Sequence, residues 1–412
     1  MTSVTLSRNV LASDTLLVVL TNDANTQAIT TNEVTIETGE APPNPAIHVL
    51  IMYDHTLQPY AYFDMPALLS LNYEVALNAV SPCVFSLPAN DTRATLIERD
   101  HFVEVRRYNG EAWRSQSTYM IKLIEKIRES GDEGESTETY LFGGLSLEDL
   151  LVARLVDPAS DPLVANGYST KSGYAESVMH AYVFEQLGAG ASTTRQIPYF
   201  AQSPDRGRGR LVGFRERLSI LLELLQRMTE PFGVDFRVLL KNGQLVFTTE
   251  IFGSTRTKTA DSTNYFVFSE NRGNLANAKL SHDDRETKNY AYILGPGEGE
   301  NRLILERPSN DIYATPFARR EFVVDAGNTE AGSSLEALTE GDRQLNEART
   351  KLEFTFDLVQ NNISRYEVNW FLGDFVTVVW EDFEQDLRIM QVSVTIADTI
   401  ESITPTLREI VP

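Results

Sequence analysis

The chain has 412 residues, of which 42% are hydrophobic and 23% charged, the proportions of a folded protein rather than a disordered one. Its length calls for two to four modules of about 100–200 residues each, and no run approaches the roughly 18 uninterrupted apolar residues of a membrane helix. With 58 acidic against 36 basic residues the formal charge is −22, which repels phosphates and argues against sequence-specific DNA binding.

The start, Met1-Thr2-Ser3-Val4, has no basic segment followed by an apolar one, so synthesis in a cytoplasm without a secretory leader is expected. The single cysteine, Cys83, cannot close an intrachain disulfide, and five scattered histidines offer no zinc-ligand spacing. No metal and no cofactor are therefore expected.

Residues 1–46 contain two short strand-like pieces, 15–20 and 34–38, followed by the Pro42, Pro43 and Pro45 cluster, a stiff linker. A segment this small buries little by itself and reads as an N-terminal arm. Residues 47–156 are mostly strand: an apolar run at 47–53, loose alternation at 69–80, and clear alternation at 101–108 before Asn109-Gly110, a hairpin signal. A strand at 120–127, an acidic loop at 130–138 and a strand at 139–144 follow. Ser146 then stands at the N-cap position of a short helix at 147–154.

Residues 157–319 read as an intervening α+β region. Apolar residues at 174, 178, 182 and 187 before Gly188 predict an amphipathic helix with a glycine stop, and Leu221, Leu222, Leu224 and Leu225 mark a second helix at 218–228. The runs 234–240 and 245–251, joined through Asn242-Gly243, predict a hairpin. Strand-rich sequence at 264–293 leads to a glycine loop at 294–302.

The last region, 320–412, opens with a strand at 320–325 and a helix at 334–351. It ends in Leu372-Gly373-Asp374 feeding two alternating runs, 375–380 and 387–394, separated by the acidic break 381–386. Two antiparallel strands with one buried face are expected there, with Gly373 and Asp374 forming a structural turn. No tandem repeat of fixed period is present.

Candidate chemistry is sparse. Residues 281–286 contain one histidine among carboxylates but no second histidine at ligand spacing, so a solvated loop is expected. The glycine loop lacks the lysine of a nucleotide loop, and Glu298 and Glu300 would repel a phosphate. Cys83 lies in strand-like sequence and suits a buried apolar position, and no Gly-x-Ser-x-Gly elbow exists. Acid pairs such as Asp382 with Glu384 or Asp132 with Glu135 would need burial and a cleft to hydrolyse a glycan. The one dense basic patch is Arg206-Gly207-Arg208-Gly209-Arg210, read first as an exposed loop, next as a contact for an acidic neighbouring subunit, and last as a contact for DNA phosphates.

Taken together, the order of several motifs resembles the tail hub proteins of long-tailed bacteriophages, the baseplate-hub, tail-tip or tail-associated family. They are residues 85–91, 150–154, 182–184 with 195–198, 205–209, 267–269 with 273–275, 294–302, and Leu372-Gly373-Asp374. No single motif is specific, but their sequence along 47–412 is. The resemblance implies a mainly β fold with α+β insertions, in which two small β-barrel tube modules, near 47–156 and 320–412, flank the α+β region. Three copies would form a ring around a channel, with an acidic lumen past which DNA slides without specific binding.

The expected partners are further copies of the chain, the distal tail protein, the tape measure protein and a tip spike or fibre. The expected place is the virion tail tip. Some relatives carry a C-terminal hydrolase extension; the chain ends at the last expected barrel, so no enzymatic activity is expected. The alternatives are a peptidoglycan hydrolase at the tail tip, or the hub of a phage-derived injection system or gene transfer particle.

Overall fold

The computed structural model describes residues 21–22, 25–26 and 48–409, apart from 131–135, 162–166, 231, 261–264, 298, 328–333, 350, 360, 362 and 398–399. The strand-like pieces expected at 15–20 and 34–38, the proline linker and the tip of the acidic loop lie outside the described residues.

Strands dominate. Fourteen of them form one sheet, whose main path runs from Leu275–Asp283 at one end to Pro59–Asp64 at the other. This corrects the expectation of two separate small barrels. The strands from both ends of the chain hydrogen-bond into a single sheet, and no closed barrel is found among the described residues.

The reason lies in the 15-residue strand Phe383–Ala397. Its first part pairs with Phe375–Trp380, and its second part with both Ile400–Arg408 and Ser70–Ala76. In that last pairing Val392, Val394 and Ile396 stand opposite Val75, Tyr73 and Leu71, all buried. Two apolar faces more than 300 residues apart in sequence thus bury each other. One hydrophobic cluster results, reaching from Leu50 through Phe142 to Phe268, Trp370 and Leu407.

Local expectations hold in several places. The turn after Phe102–Tyr108 uses Asn109, whose Oδ1 accepts the N–H groups of Glu111 and Ala112. Asp235–Lys241 and Gln244–Glu250 form a hairpin over Asn242 and Gly243, both at positive φ (52° and 70°), as the favoured two-residue turns require. The helix α1 (Asp149–Val152) is shorter than expected and is not capped by Ser146. That hydroxyl instead accepts the Ser81 N–H at 3.0 Å, because Ser146 ends the preceding strand, Ser136–Ser146.

The helices α2 (Ala175–Gln186) and α3 (Leu221–Gln226) pack with the 235–250 hairpin and the strand Leu211–Glu216 into a second hydrophobic cluster. A third, smaller cluster joins α4 (Ser334–Glu347) to the sheet of Tyr290–Leu294, Ile304–Pro308 and Glu321–Asp325. Among the described residues no helix is long and apolar enough to cross a membrane.

Candidate functional site

The arginine loop ties α2's first turn to the start of the strand Leu211–Glu216, with the Ala175 and Glu176 N–H groups donating to the Arg210 and Arg208 carbonyls. Glu176 is fully buried at the start of α2, and its carboxylate accepts the Arg208 backbone N–H at 2.8 Å and the Arg208 Nη2 at 2.7 Å. Thr249 donates a further hydrogen bond at 2.8 Å. Burial works against the charge of Glu176, yet the bonds from Arg208 and Thr249 hold its carboxyl down at about 2. Arg208 also donates to the Thr249 carbonyl.

The loop therefore splits into two kinds of arginine. Arg208 is an internal brace, whereas Arg206 and Arg210 are exposed and make no ion pair among the described residues. Gly209 has φ +87°, and a Cβ there would meet Val234 Cγ2 at 2.6 Å, so the bend accepts only glycine.

The Gly373–Asp374 turn is the second candidate, and it sits where three parts of the chain meet. Asp374 is buried; its Oδ1 accepts the Ser254 N–H at 2.8 Å and its Oδ2 the Phe371 N–H at 2.9 Å. Burial nonetheless pushes its carboxyl up from the ordinary range, against those two bonds and Arg256. Gly373 donates to the Ile389 carbonyl at 2.8 Å and accepts from Arg388 Nε at 3.0 Å.

Arg388 carries the junction onward. It forms a buried ion pair with Asp235 through Nη1 and Nη2 and donates to the Phe252 carbonyl at 2.9 Å. Asp235 also accepts from Asn78 Nδ2 at 2.8 Å, and Asn78 Oδ1 accepts the Phe236 N–H. Residues from all three sequence regions thus satisfy one another's buried polar groups.

A second seam binds the two ends of the chain. Arg107 donates to both oxygens of Glu401 at 2.6 and 2.8 Å, and all but a few per cent of both side chains is buried. His48 Nε2 lies 3.0 Å from Tyr73 Oη and 3.5 Å from Glu401. Burial lowers the His48 pKa to about 4, Glu401 opposing and Arg107 adding, so the ring is neutral at physiological pH.

The other sequence candidates stay apart. His282 lies 3.4 Å from Asp284 at an exposed position, and among the described residues no group of three or more His, Cys, Asp or Glu is placed to hold a metal. Asp382 and Glu384 are both exposed, and Glu384 pairs with Lys258 at 2.7 Å; Asp132 and Glu135 lie outside the described residues. Cys83 is buried, and burial pushes its thiol far up. The glycine loop is the connection between Tyr290–Leu294 and Ile304–Pro308, with Arg302 Nε donating to the Gly295 carbonyl at 3.0 Å.

Glu176, Asp235, Arg388, Arg107 and Glu401 were not read from the sequence. A signal existed for two of them: Arg388 sits between Leu387 and Ile389, and Arg107 lies near the end of the alternating strand Phe102–Tyr108, each a charge in a run otherwise bound for burial. Their carboxylate partners had no such mark.

Residues 53–407 match the Siphovirus ReqiPepy6 Gp37-like protein family. No curated protein matches the chain. The fold is shared with three solved structures. Prophage tail protein gp18 from Listeria monocytogenes is 13% identical, with a TM-score of 0.50, the match covering 87% of this chain and 94% of that one. The 43 kDa tail protein of prophage MuSo2 from Shewanella oneidensis is 13% identical, with a TM-score of 0.55 and coverage of 88% and 98%. A tail protein from Neisseria meningitidis is 10% identical, with a TM-score of 0.52 and coverage of 88% and 96%.

Proposed function

Given that the chain belongs to the Siphovirus ReqiPepy6 Gp37-like protein family, we propose that it is a structural tail protein acting as the hub between the tail tube and the tip. The observation that carries this reading is the fold shared with two prophage tail proteins and a third tail protein along 87–88% of the chain. The braced junctions support it, since a part that transmits load between tube and tip needs modules that do not shear. Buried ion pairs with satisfied hydrogen bonds resist such motion because breaking one strands a buried charge.

In this reading three copies close a ring, the regions 47–156 and 320–412 face the tube, and 157–319 lies to the side with the arm 1–46 reaching a neighbour. The acidic balance suits a channel wall past which the tape measure protein and then DNA leave. No residue is assigned a reaction.

Immunolabelling of particles with antibody to this chain, viewed by electron microscopy, tests the placement. Label confined to the distal tail tip supports the hub. Unlabelled tails, with the protein free and digesting cell wall, replace it with a hydrolase.

A further inference from the structure

The exposed half of the arginine loop does not stand alone. Tyr174 and Leu211 are directly opposite each other across the strands Ser169–Tyr174 and Leu211–Glu216, and both stay about half exposed, at 50% and 58%. Arg206 and Arg210 flank them, and the loop leans on the Tyr174 ring, which lies 3.5 Å from where a Cβ on Gly207 would be. The frame is rigid. Arg210 N–H donates to the Phe232 carbonyl at 3.0 Å, and the Arg210 carbonyl accepts the Ala175 N–H at 3.0 Å.

Of the nearby carboxylates, Asp205 accepts the Gly207 N–H at 2.9 Å, and Asp342 pairs with Arg307 at 2.8 Å while also feeling the charge of Arg210. Two exposed arginines without an ion pair among the described residues, beside an aromatic and an aliphatic side chain on a hydrogen-bonded backbone, have the composition and preorganisation of an interface hot spot. A chain of net charge −22 itself offers acidic surface that complements this patch.

One feature of that other copy fits. Glu381 and Asp382 form the two-residue turn between Phe375–Trp380 and Phe383–Ala397. Both are exposed, and neither makes an ion pair among the described residues. Glu381 has φ +52°, a conformation that such turns ordinarily give to Asn or Gly. The flanking Trp380 and Phe383 rings pack on Phe354, with centroids 5.9 and 5.7 Å away, which leaves the two carboxylates outermost.

We propose that the surface of Arg206, Arg210, Tyr174 and Leu211 docks the Glu381 and Asp382 turn of a second copy of this chain. The two surfaces differ, so the contact is heterologous and repeats from copy to copy until a ring closes. The inference rests on the oligomeric hub reading and gives that ring its interface.

The test is the mass of the full chain by size-exclusion chromatography with light scattering, across concentration and at low and high salt. Wild type is expected to associate, more weakly at high salt. R206E/R210E and E381N/D382G should each weaken association on the order of tenfold. The second variant places Asn, which tolerates the left-handed backbone, at position 381, so a strained turn is not the expected cause of a loss there. The fourfold variant R206E/R210E/E381R/D382R should restore the wild-type mass.

A monomeric wild type, a wild-type mass in either double variant, or no recovery in the fourfold variant overturns the proposal. If label still marks the tail tip, the hub reading survives that result; label absent from tails removes both.

Discussion

Gly253 and Gly373 lie backbone against backbone, both at positive φ (84° and 92°). A Cβ on Gly373 would stand 2.6 Å from the Phe252 carbonyl oxygen. This contact joins the end of the 235–250 hairpin to the turn that starts the strand Phe375–Trp380, and it admits no side chain on either partner.

Gly373→Ala should therefore destabilise the protein by about 2–3 kcal/mol or more, combining the left-handed backbone with overlap against a carbonyl that cannot move freely. Urea unfolding of the variant checks this. A midpoint equal to wild type would mean the two backbones can separate without cost.

Asp235→Asn should cost about 3–5 kcal/mol by leaving Arg388 buried without its counter-charge. The double variant Asp235→Asn with Arg388→Met should lose less than the sum of the two single changes, with a coupling of about 1–3 kcal/mol. Strict additivity in that cycle would show that the pair is not the joint it looks to be.

Within the arginine loop the two roles separate by stability. Arg208→Ala leaves the Glu176 carboxylate buried and short of its main partner, an expected loss of about 2–3 kcal/mol. Arg206→Ala, on exposed surface, should stay within about 0.5 kcal/mol of wild type. Chemical denaturation of both variants side by side gives the answer, and equal effects would erase the distinction.

His48 sets a pH dependence. Its folded pKa of about 4 lies below the ordinary 6.5, so between those values the unfolded chain binds the proton and the folded chain does not. Stability therefore rises with pH across that window and falls as pH drops from 6.5 towards 4, by up to about 3 kcal/mol from this group. Melting curves of wild type and His48→Gln over pH 4–7 would show it as a shallower slope in the variant; parallel slopes would assign the dependence to other groups.

Much of the local structure was legible in the sequence. Alternation marked the strands at 102–108 and 375–380, Asn242-Gly243 marked its hairpin, and Gly188 marked the end of α2, because each depends on neighbours a few residues away. Other local details were decided by what lay across space. Ser146 became a strand end and bonds Ser81, and the expected acidic break at 381–386 shrank to two residues because residues 383–386 pair with 377–380.

Composition, periodicity and turn residues were enough for the class, a folded, acidic, strand-rich chain with no motif for a reaction, and for most of its strands, turns and helix stops. Only the tertiary structure decided that the two ends of the chain share one sheet and that Arg388 meets Asp235, Arg107 meets Glu401 and Arg208 meets Glu176. The physical reason is that period and turn chemistry act between residues near in sequence. A strand's edge, and a buried charge, accept any partner of the right shape and sign, and the fold chooses among them only when the whole core is buried together.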